Sequence, residues 1–447
     1  MKFRRNEEQP TGVPQEAKQV GEARSEKWGW VERSVWTERM LEALEEGVKG
    51  GMWFSLIDKV YRPETLYQAW TWVKTNRGGA GADHQTIKGF ERNLESNLER
   101  LHEELRTGTY QPRPILRVYI AKEGSRGKRP LGIPTVRDRV VQTALRLVIE
   151  PIFERVFHPK SFGFRPGRGC KDALREVARL LKGGYCWVVD ADLQSYFDSI
   201  PHDQLMSEIR SQIADGRVLK LIEGFLKQGV MEGLSHWVPE EGTPQGAVIS
   251  PLFANLYLHS LDVAMAEAGF QMIRYADDLV VLCQSDREAR MALERMQSQI
   301  SRKGLRFHPE KIHRVDVRIA GQGFDFLGYR FEGATRWPRK KSMNKLRDNI
   351  RTKTGRSNGK SMPCIIAEVN RTLWGWFEYF KHSNRRTFPS LDQWIRRRLR
   401  SILRRRLKGK GISGGYDHIR WPNRYFREQG LFSLEGAHGA LLQPSVR

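Results

Sequence analysis

Cysteine is scarce in this chain: its 447 residues include only four, namely Cys170, Cys186, Cys283 and Cys364. No two of them have the close spacing of a zinc-ligand pair, and together they do not form the pattern of a disulfide framework. We therefore predict a reduced, cytoplasmic protein without structural zinc.

Long apolar runs are also lacking, and acidic residues are in deficit. No run approaches the roughly 18 apolar residues of a membrane-spanning helix, and no apolar signal region follows the charged start Met1–Arg5. Lysine and arginine number 76 against 52 aspartates and glutamates, so the formal net charge is +24. Such an excess predicts a polyanionic partner, most simply nucleic acid and not a membrane surface.

The chain changes character along its length. Residues 1–35 are polar and charged and predict a mostly disordered tail, although Trp28, Trp30 and Trp36 could dock on the folded body or stack on bases. Helical periodicity then extends to about residue 108, and the middle of the chain mixes helices with short antiparallel strands. Beyond about residue 335 the pattern is helical and basic, with helices predicted at 342–354, 363–382 and 389–408. The predicted fold class is therefore α+β.

Acidic residues stand at the ends of two apolar strand patterns. Asp277 and Asp278 separate two short apolar runs, which predicts a β-hairpin with both carboxylates at its tip. A solvated turn is the alternative, since aspartate is common in turns. Upstream, the apolar pattern that begins at Trp187 ends in Asp190 and Asp192. If the strands are neighbours, a third carboxylate joins the pair, and the cluster would repel unless cations neutralise it.

The absence of nearby histidine or cysteine decides which cation such a cluster prefers. Ligand sets made only of oxygen favour Mg²⁺. Two such ions can activate an attacking oxygen and stabilise the leaving oxygen in phosphoryl transfer. The carboxylates therefore indicate nucleotidyl-transfer chemistry, in agreement with the basic composition.

Three loops have compositions suited to phosphate or nucleotide contact. Lys122–Arg129 is basic and rich in glycine, and Phe162–Gly169 is a second loop of this kind, with Arg165 and Arg168 as candidates for nucleic-acid backbone contacts. In the rigid loop Gly242–Pro251, Gln245 lies between a proline and a glycine. Each loop could instead be an ordinary solvated turn.

The predicted helix 389–408 combines an apolar stripe with many arginines. Leu391, Ile395, Leu399 and Ile402 define the stripe, which should pack inside a helical bundle. The remaining faces should point outward and contact RNA phosphates, with these residues as candidates: Arg396, Arg397, Arg400 and Arg404. A merely solvated charged face is the alternative.

The motifs, taken in order, resemble those of the group II intron reverse transcriptases, also called maturases. The similar segments are Lys128–Pro134, Gly163–Arg168, Asp192–Phe197, Gly242–Gly246, Tyr275–Asp278, Pro309–Lys311, Phe326–Tyr329 and Gly375–Phe380. Each motif alone is weak, but the ordered series is specific and extends from about residue 60 to 435.

The resemblance implies a right-hand polymerase with an antiparallel-sheet palm and a helical thumb. It implies these bounds: a tail at 1–35, an N-terminal extension and fingers at 36–185, the palm at 186–335, the thumb or maturase domain at 336–410, and a C-terminal tail at 411–447. It also implies Mg²⁺-dependent DNA synthesis on RNA templates, with Mn²⁺ as the alternative ion, and assistance to folding of the intron RNA.

The resemblance assigns the metal ligands by position. Asp192, Asp277 and Asp278 would bind two ions, helped by the Leu193 carbonyl. In the family pattern the first ligand lies five residues before the aromatic residue that faces the sugar. The pair Asp192 and Phe197 has that spacing, so Asp190 is interpreted as structural.

The same positional reading assigns the contacts to the nucleotide. Phe197 would exclude a ribose 2′-OH by its bulk, and Gln245 would contact the incoming nucleotide. Lys122 and Arg129 would contact the triphosphate, and Lys311 is a further candidate near the primer or the pyrophosphate.

Many members of the family carry a C-terminal nuclease domain with cysteine pairs and clustered histidines. The tail after Gly409 has no cysteine, so we expect a form that lacks this domain and does not cut target DNA itself. The expected partners are group II intron RNA, an RNA template with a DNA primer, dNTPs and target DNA. The alternatives are an RNA-binding splicing cofactor with a vestigial polymerase, and a reverse transcriptase of the retron or diversity-generating type.

Overall fold

The structure, a computed structural model, describes residues 27–48, 50–121, 127–233, 235–409 and 414–442. The chain forms two compact units. The first comprises the described residues up to Ala173 together with Ala191–Leu279 and Leu293–Lys311. The second comprises Leu174–Asp190, Val280–Ala292 and the described residues from Ile312 onward.

The first half of the chain is mainly helical, with two short hairpins. Its elements are α1 (Glu38–Glu46), α2 (Ile57–Val60), α3 (Pro63–Asn76), α4 (Ile87–Arg92), α5 (Leu94–Thr107), β1 (Ile115–Ala121), β2 (Lys128–Ile133), α6 (Val136–Glu154), α7 (Cys170–Lys182), β3 (Trp187–Asp192), a 3₁₀ turn (Tyr196–Ser199), α8 (His202–Arg210), α9 (Gly216–Leu226), β4 (Val230–Glu232) and β5 (Ser235–Trp237).

The second half contains the remaining strands and a series of helices. Its elements are α10 (Ser250–Glu267), β6 (Gln271–Tyr275), β7 (Asp278–Cys283), α11 (Asp286–Arg302), a 3₁₀ turn (Pro309–Lys311), β8 (His313–Asp316), β9 (Phe324–Phe326), β10 (Tyr329–Glu332), β11 (Thr335–Pro338), α12 (Lys340–Lys353), α13 (Met362–Phe380), α14 (Thr387–Arg406), α15 (Gly415–Arg420), α16 (Asn423–Glu428) and α17 (Leu434–Leu442).

Within the described residues, the strands form three sheets. One has the order β2-β1-β4-β5; β1 pairs antiparallel with β2 from Leu116↔Ile133 to Ala121↔Lys128, and parallel with β4. A second has the order β6-β7-β3-β8, and β9, β10 and β11 form a third. Mixed sheets beside many helices confirm the α+β prediction.

Local sequence explains where the helices begin and end. Thr37 caps α1 by accepting a hydrogen bond from the Met40 amide, and Thr135 caps α6 through the Asp138 amide. Gly108 ends α5 with φ of +75°, a backbone conformation that glycine adopts without a Cβ penalty. The helices predicted at 342–354, 363–382 and 389–408 are α12, α13 and α14, each within two residues of the expected start and end.

The predicted N-terminal tail of residues 1–35 is too long. Trp28 is buried and its indole donates to Glu45 over 3.1 Å. Val31 and Val35 are buried too, and the Trp36 indole donates to the Leu147 carbonyl over 3.0 Å. Trp28 and Trp36 therefore dock on the first unit. Residues 1–26 lie outside the described residues.

The predicted C-terminal tail of residues 411–447 is wrong for its described part, which forms α15, α16 and α17. Phe426 and Leu434 are fully buried in the core of the second unit. Asp392 of α14 accepts hydrogen bonds from the Leu434 and Glu435 amides over 3.1 and 3.2 Å, so it caps α17. These short helices complete the helical bundle.

None of the helices in the described part of the chain combines the length and the apolar character needed to traverse a lipid bilayer.

Candidate active site

Strands β6 and β7 are neighbours joined by the two-residue turn Ala276–Asp277, with Asp278 as the first residue of β7. This confirms the predicted hairpin. Ala276 has φ of +59°, a left-handed conformation that costs a residue with a Cβ roughly 1–2 kcal/mol. The surrounding structure must therefore hold the turn in place.

A buried arginine lies directly behind the turn. Arg274 is 1% exposed. Its guanidinium donates to both carboxylate oxygens of Asp262 over 2.8 and 2.5 Å, to Asn255 Oδ1 over 2.9 Å and to the Ala276 carbonyl over 3.0 Å. Sequence reasoning missed these residues, although a charged side chain within the apolar run before Asp277 was a usable signal.

Residues of the second glycine loop also lie against the turn. The Phe162 amide donates to the Arg274 carbonyl over 2.9 Å, and the Gly163 carbonyl accepts from Asn255 Nδ2 over 2.7 Å. A Cβ on Gly163 would lie only 2.3 Å from the Ala276 nitrogen. Glycine is therefore required here because the two backbones approach too closely for any side chain.

Asp192 is the last residue of β3, and the chain after α11 fixes its backbone. Its carbonyl accepts from the His308 amide over 2.8 Å, and the next residue, Leu193, forms an antiparallel bridge with Phe307. The Lys311 ammonium contacts Asp192 Oδ2 at 2.5 Å. Lys311, expected near the primer or the pyrophosphate, thus lies beside a predicted metal ligand.

The carboxylates influence each other electrostatically. Burial raises the pKa of Asp277, and the negative charge of Asp192 raises it further, while the cations of Arg129 and Arg274 oppose these effects. Asp192, Asp277 and Asp278 are all partly exposed, so ions can reach them from solvent. Within the described part of the chain, no three His, Cys, Asp or Glu side chains already stand in a metal-binding arrangement.

The donor set nevertheless fits a hard divalent cation. The donors are carboxylate oxygens, with mutual repulsion that a cation would relieve. One of them already attracts a cation, since Lys311 pairs with Asp192. The predicted ligands are therefore chemically suited to Mg²⁺.

One of the expected nucleotide-contacting residues, Gln245, lines a cavity of about 290 Å³ in the first unit. Gln245, Gly132 and Arg117 line it, together with Asp198, which follows Phe197 in the chain. The Phe197 carbonyl accepts from the Thr243 amide over 2.6 Å, so the 3₁₀ turn is tied to the loop that carries Gln245.

That loop is also tied to the hairpin of β1 and β2. The Gln245 carbonyl accepts from the Gly132 amide over 2.6 Å. Gly246 has φ of +109°, and a Cβ there would lie 2.5 Å from the Gly132 carbonyl oxygen. Arg129 is exposed on β2, whereas Lys122 lies outside the described residues.

Arg165 is not available to nucleic acid, so its assignment as a backbone contact was wrong. The side chain is buried and pairs with Glu154 at 2.6 Å, and it also donates to the carbonyls of His158 and Ser161. Arg165 therefore stabilises the conformation of the loop that precedes Gly167. Arg168 is partly exposed and donates to the Pro159 carbonyl over 2.7 Å.

The four arginines of α14 have different environments. Arg397 is exposed, as expected. Arg396 lies 4.0 Å from Asp392, and Arg404 pairs with Asp417 at 2.9 Å. The expectation that Arg400 faces outward was wrong, because this residue is 1% exposed.

The partners of Arg400 explain its burial. It donates to the Trp421 carbonyl and to Asn423 Oδ1, each over 2.8 Å, and its guanidinium lies 5.2 Å from the Phe426 ring centre. All three partners belong to the segment that was predicted to be a tail. Arg400 therefore joins α14 to α16 and its preceding turn.

Two known families match this chain. Residues 120–331 match the family described as reverse transcriptase (RNA-dependent DNA polymerase), and residues 343–421 match the group II intron maturase-specific domain. The first match identifies a reverse transcriptase domain. The chain therefore has a reverse transcriptase domain followed by a maturase-specific domain, the arrangement expected for the group II intron-encoded reverse transcriptases.

Curated relatives agree with this family. The group II intron-encoded protein LtrA of Lactococcus lactis subsp. cremoris is 41% identical over 203 residues, which cover 45% of this chain and 33% of LtrA. Protein YkfC of Escherichia coli (strain K12) is 40% identical over 219 residues, covering 47% of this chain and 57% of YkfC. The matches thus span about a third and just over half of these relatives.

Two solved structures are similar to part of this chain. A chain of a partial Cas6-RT-Cas1–Cas2 complex matches with 26% identity and a TM-score of 0.36, covering 56% of this chain and 41% of that chain. Telomerase from Candida albicans matches with 11% identity and a TM-score of 0.40, covering 70% and 63%.

Proposed function

We propose that this protein is an RNA-directed DNA polymerase encoded by a group II intron, which extends a DNA primer on an RNA template and binds the intron RNA to assist splicing and mobility. One observation carries the polymerase proposal. Strand β3, which ends at Asp192, is the neighbour of β7, which begins at Asp278, in one sheet. The negative charge of Asp192 also raises the pKa of Asp277, which supports a set of carboxylates that could share cations.

Asp192, Asp277 and Asp278, with the Leu193 carbonyl, would hold two Mg²⁺ ions, for which Mn²⁺ is the alternative. Bound there, such ions supply Lewis-acid activation of the primer 3′-OH and neutralise charge on the leaving pyrophosphate. The Lys311 ammonium pairs with the Asp192 carboxylate at 2.5 Å, so it would lie beside the ions.

The protein's own residues would place the nucleotide. Gln245 and the cavity beside it would receive the dNTP, and Arg129, with Lys122, would bind its triphosphate. The ring of Phe197 would stand where a ribose 2′-OH would project. The backbone hydrogen bonds from Thr243 to Phe197 and from Gly132 to Gln245 connect the segments that carry these residues, which supports a pre-organised nucleotide site.

The intron RNA would bind the exposed cations of the second unit. Arg397 is exposed on α14, and Arg405 and Arg406 follow on the same helix. Nucleic-acid affinity of this kind comes from phosphate contacts and falls with salt. The template–primer duplex, and target DNA during mobility, would be bound through the same backbone chemistry.

A primer-extension assay tests the polymerase proposal. With Mg²⁺, an RNA template and a DNA primer, the parent protein should add dNTPs, and Asp277→Asn should reduce the rate to less than about 1% because it removes a metal ligand. The matched control is Asp203→Asn, which neutralises an exposed aspartate in the first turn of α8 and should leave the rate unchanged.

RNA binding, measured by filter retention, should be the same for all three proteins. Extension by Asp277→Asn at a rate near that of the parent would contradict the site assignment. RNA binding by a parent protein that never extends a primer would instead support the splicing cofactor with a vestigial polymerase.

A further inference from the structure

A buried polar network in the first unit lies directly behind the Ala276–Asp277 turn. Arg274 and Asp262 are 1% and 3% exposed, and Asn255 is 1% exposed. A buried ion pair is weak evidence for stability, because the desolvation of both charges offsets much of their attraction. The strained turn beside this ion pair therefore indicates a role other than stability.

The geometry of the bonds indicates what this network controls. Arg274 Nη1 donates both to the Ala276 carbonyl, over 3.0 Å, and to Asn255 Oδ1, over 2.9 Å. The Ala276 carbonyl belongs to the peptide that joins Ala276 to Asp277. Holding this carbonyl fixes the plane of that peptide, and the plane determines the direction in which Asp277 leaves the turn.

Asn255 connects the network to the opposite side of the turn. Its Oδ1 accepts from Arg274, and its Nδ2 donates to the Gly163 carbonyl over 2.7 Å. Gly163 in turn packs against the Ala276 nitrogen so closely that no Cβ fits. The amide of Asn255 thus holds Gly163 against one side of the Ala276–Asp277 turn while Arg274 holds the carbonyl on the other.

We propose that Arg274, Asp262 and Asn255 are positioning residues that hold the left-handed turn at Ala276 and so direct the Asp277 carboxylate toward the reacting phosphate. This proposal rests on the function proposed above. Asp262 orients the guanidinium with two bonds, the guanidinium holds the Ala276 carbonyl, and Asn255 locks Gly163 onto the turn. All three are buried, so they would act through the turn and not by contact with substrate.

The variant Asn255→Ala tests the proposal by removing the side-chain amide that bonds to Arg274 and Gly163. Primer extension should show kcat reduced by about 10- to 100-fold, the range expected when a reacting group is misplaced by about 1 Å. The KM for dNTP and the Kd for the template–primer should stay within about threefold of the parent values, because the residues that bind them are untouched.

Hydrogen exchange gives a second readout that needs no polymerase activity. In the metal-free protein, the peptide that contains residues 274–280 should exchange about five to ten times faster in Asn255→Ala, since the turn loses a hydrogen-bonded support. Absence of DNA synthesis by the parent protein would overturn the proposed function, while the exchange experiment would still decide whether the network holds the turn.

Asn370→Ala is the matched control for a merely structural role. Asn370 is also a buried asparagine that donates to a backbone carbonyl, that of Gly430, over 2.8 Å, and accepts from the Phe432 amide over 2.9 Å. It lies in the second unit. Its loss should lower thermal stability without changing kcat of the folded protein or exchange at residues 274–280.

If Asn255→Ala does not fold, Arg274→Lys carries the same test. One ammonium nitrogen keeps the charge beside Asp262 but cannot replace the three guanidinium nitrogens that bind Asp262, Asn255 and Ala276 together. A lower kcat, an unchanged KM and faster exchange support the proposal in either variant. A kcat within about twofold of the parent, or unchanged exchange at the turn, overturns it.

Discussion

Replacement of Arg400 by methionine should destabilise the protein without weakening its affinity for RNA. The change removes a buried guanidinium and keeps an apolar chain of similar length. It leaves the Trp421 carbonyl and Asn423 Oδ1 without the donor that each now has at 2.8 Å.

The size of the effect follows from these contacts. An unsatisfied buried acceptor costs about 1–3 kcal/mol, and two are created. Part of this loss is recovered, because the variant no longer buries a cation. Desolvation lowers the pKa of Arg400, and the charge of Arg396 lowers it further, while Asp417 opposes both effects. We therefore expect a net loss of about 2–3 kcal/mol, with an apolar side chain still packed against Phe426.

Differential scanning calorimetry measures this loss directly. For a cooperative unit of about 150–250 residues, each kcal/mol lowers Tm by about 2–4 °C, so Arg400→Met should lower it by about 4–12 °C. Arg405→Met is the matched control: it lies on the same helix and is exposed, and it should leave Tm within about 1 °C.

The salt dependence of RNA binding should change in the variant of Arg405 and not in the variant of Arg400, the reverse of the effects on Tm. Arg405→Met should reduce the slope of log K against log salt by about 0.7–0.9, the value for one lost phosphate contact. Arg400→Met should leave the slope unchanged. A parent-like Tm together with a reduced slope for Arg400→Met would refute the structural role given to this residue.

Three further outcomes concern the site itself. Phe197→Val should lower the preference for dNTP over rNTP by at least about tenfold, because the smaller side chain leaves space for the 2′-OH. Single-nucleotide addition kinetics measure this preference. Unchanged discrimination with activity retained would show that Phe197 does not exclude the 2′-OH. Lys311→Met should tighten Mn²⁺ binding, because the ammonium no longer competes for Asp192. The gain should be no more than about fivefold, since an exposed ion pair contributes about 1 kcal/mol or less. Mn²⁺ titration followed by electron paramagnetic resonance checks this, and weaker binding would contradict it. Gly163→Ala should reduce kcat by more than about 100-fold, because its Cβ would force the Ala276 turn to move; primer extension by the folded variant decides it, and parent-like extension would show that the close approach is not required.

The hairpin of Asp277 was predictable because its signals are local. Two apolar runs separated by a short polar segment specify paired strands and a tight turn, and both lie within about ten residues. The bounds of α12, α13 and α14 were predictable for the same reason, since apolar periodicity and capping residues are read from neighbouring positions.

The environments of Arg400 and Arg165 were not predictable, because both depend on distant partners. Helical spacing identifies the stripe through Leu399 but does not show that a second surface of α14 is covered by residues 415–428. Arg165 was expected at an exposed loop, yet Glu154 at the end of α6 pairs with it. In each case a cation is satisfied by groups whose proximity only the fold creates.

The network behind the turn was missed for a related reason. Arg274 lies on β6, whereas Asn255 and Asp262 lie on α10, and neither α10 residue carries a signal of its own in the sequence. An arginine inside an apolar strand did indicate a buried partner, but the identity of that partner required the packing of α10 against β6.

The most direct measurement compares two aspartates that lie two residues apart on β3. Both Asp192→Asn and Asp190→Asn remove one negative charge, but only Asp192 is assigned to the metal-binding site, whereas Asp190 lies opposite His313 in the pairing of β3 with β8. In single-turnover addition of one dNTP to a DNA primer on an RNA template, we predict less than about 1% of the parent rate for Asp192→Asn and a rate within about threefold of the parent for Asp190→Asn. The reverse order of the two rates, or parent-like addition by Asp192→Asn, would contradict the assignment of the catalytic site.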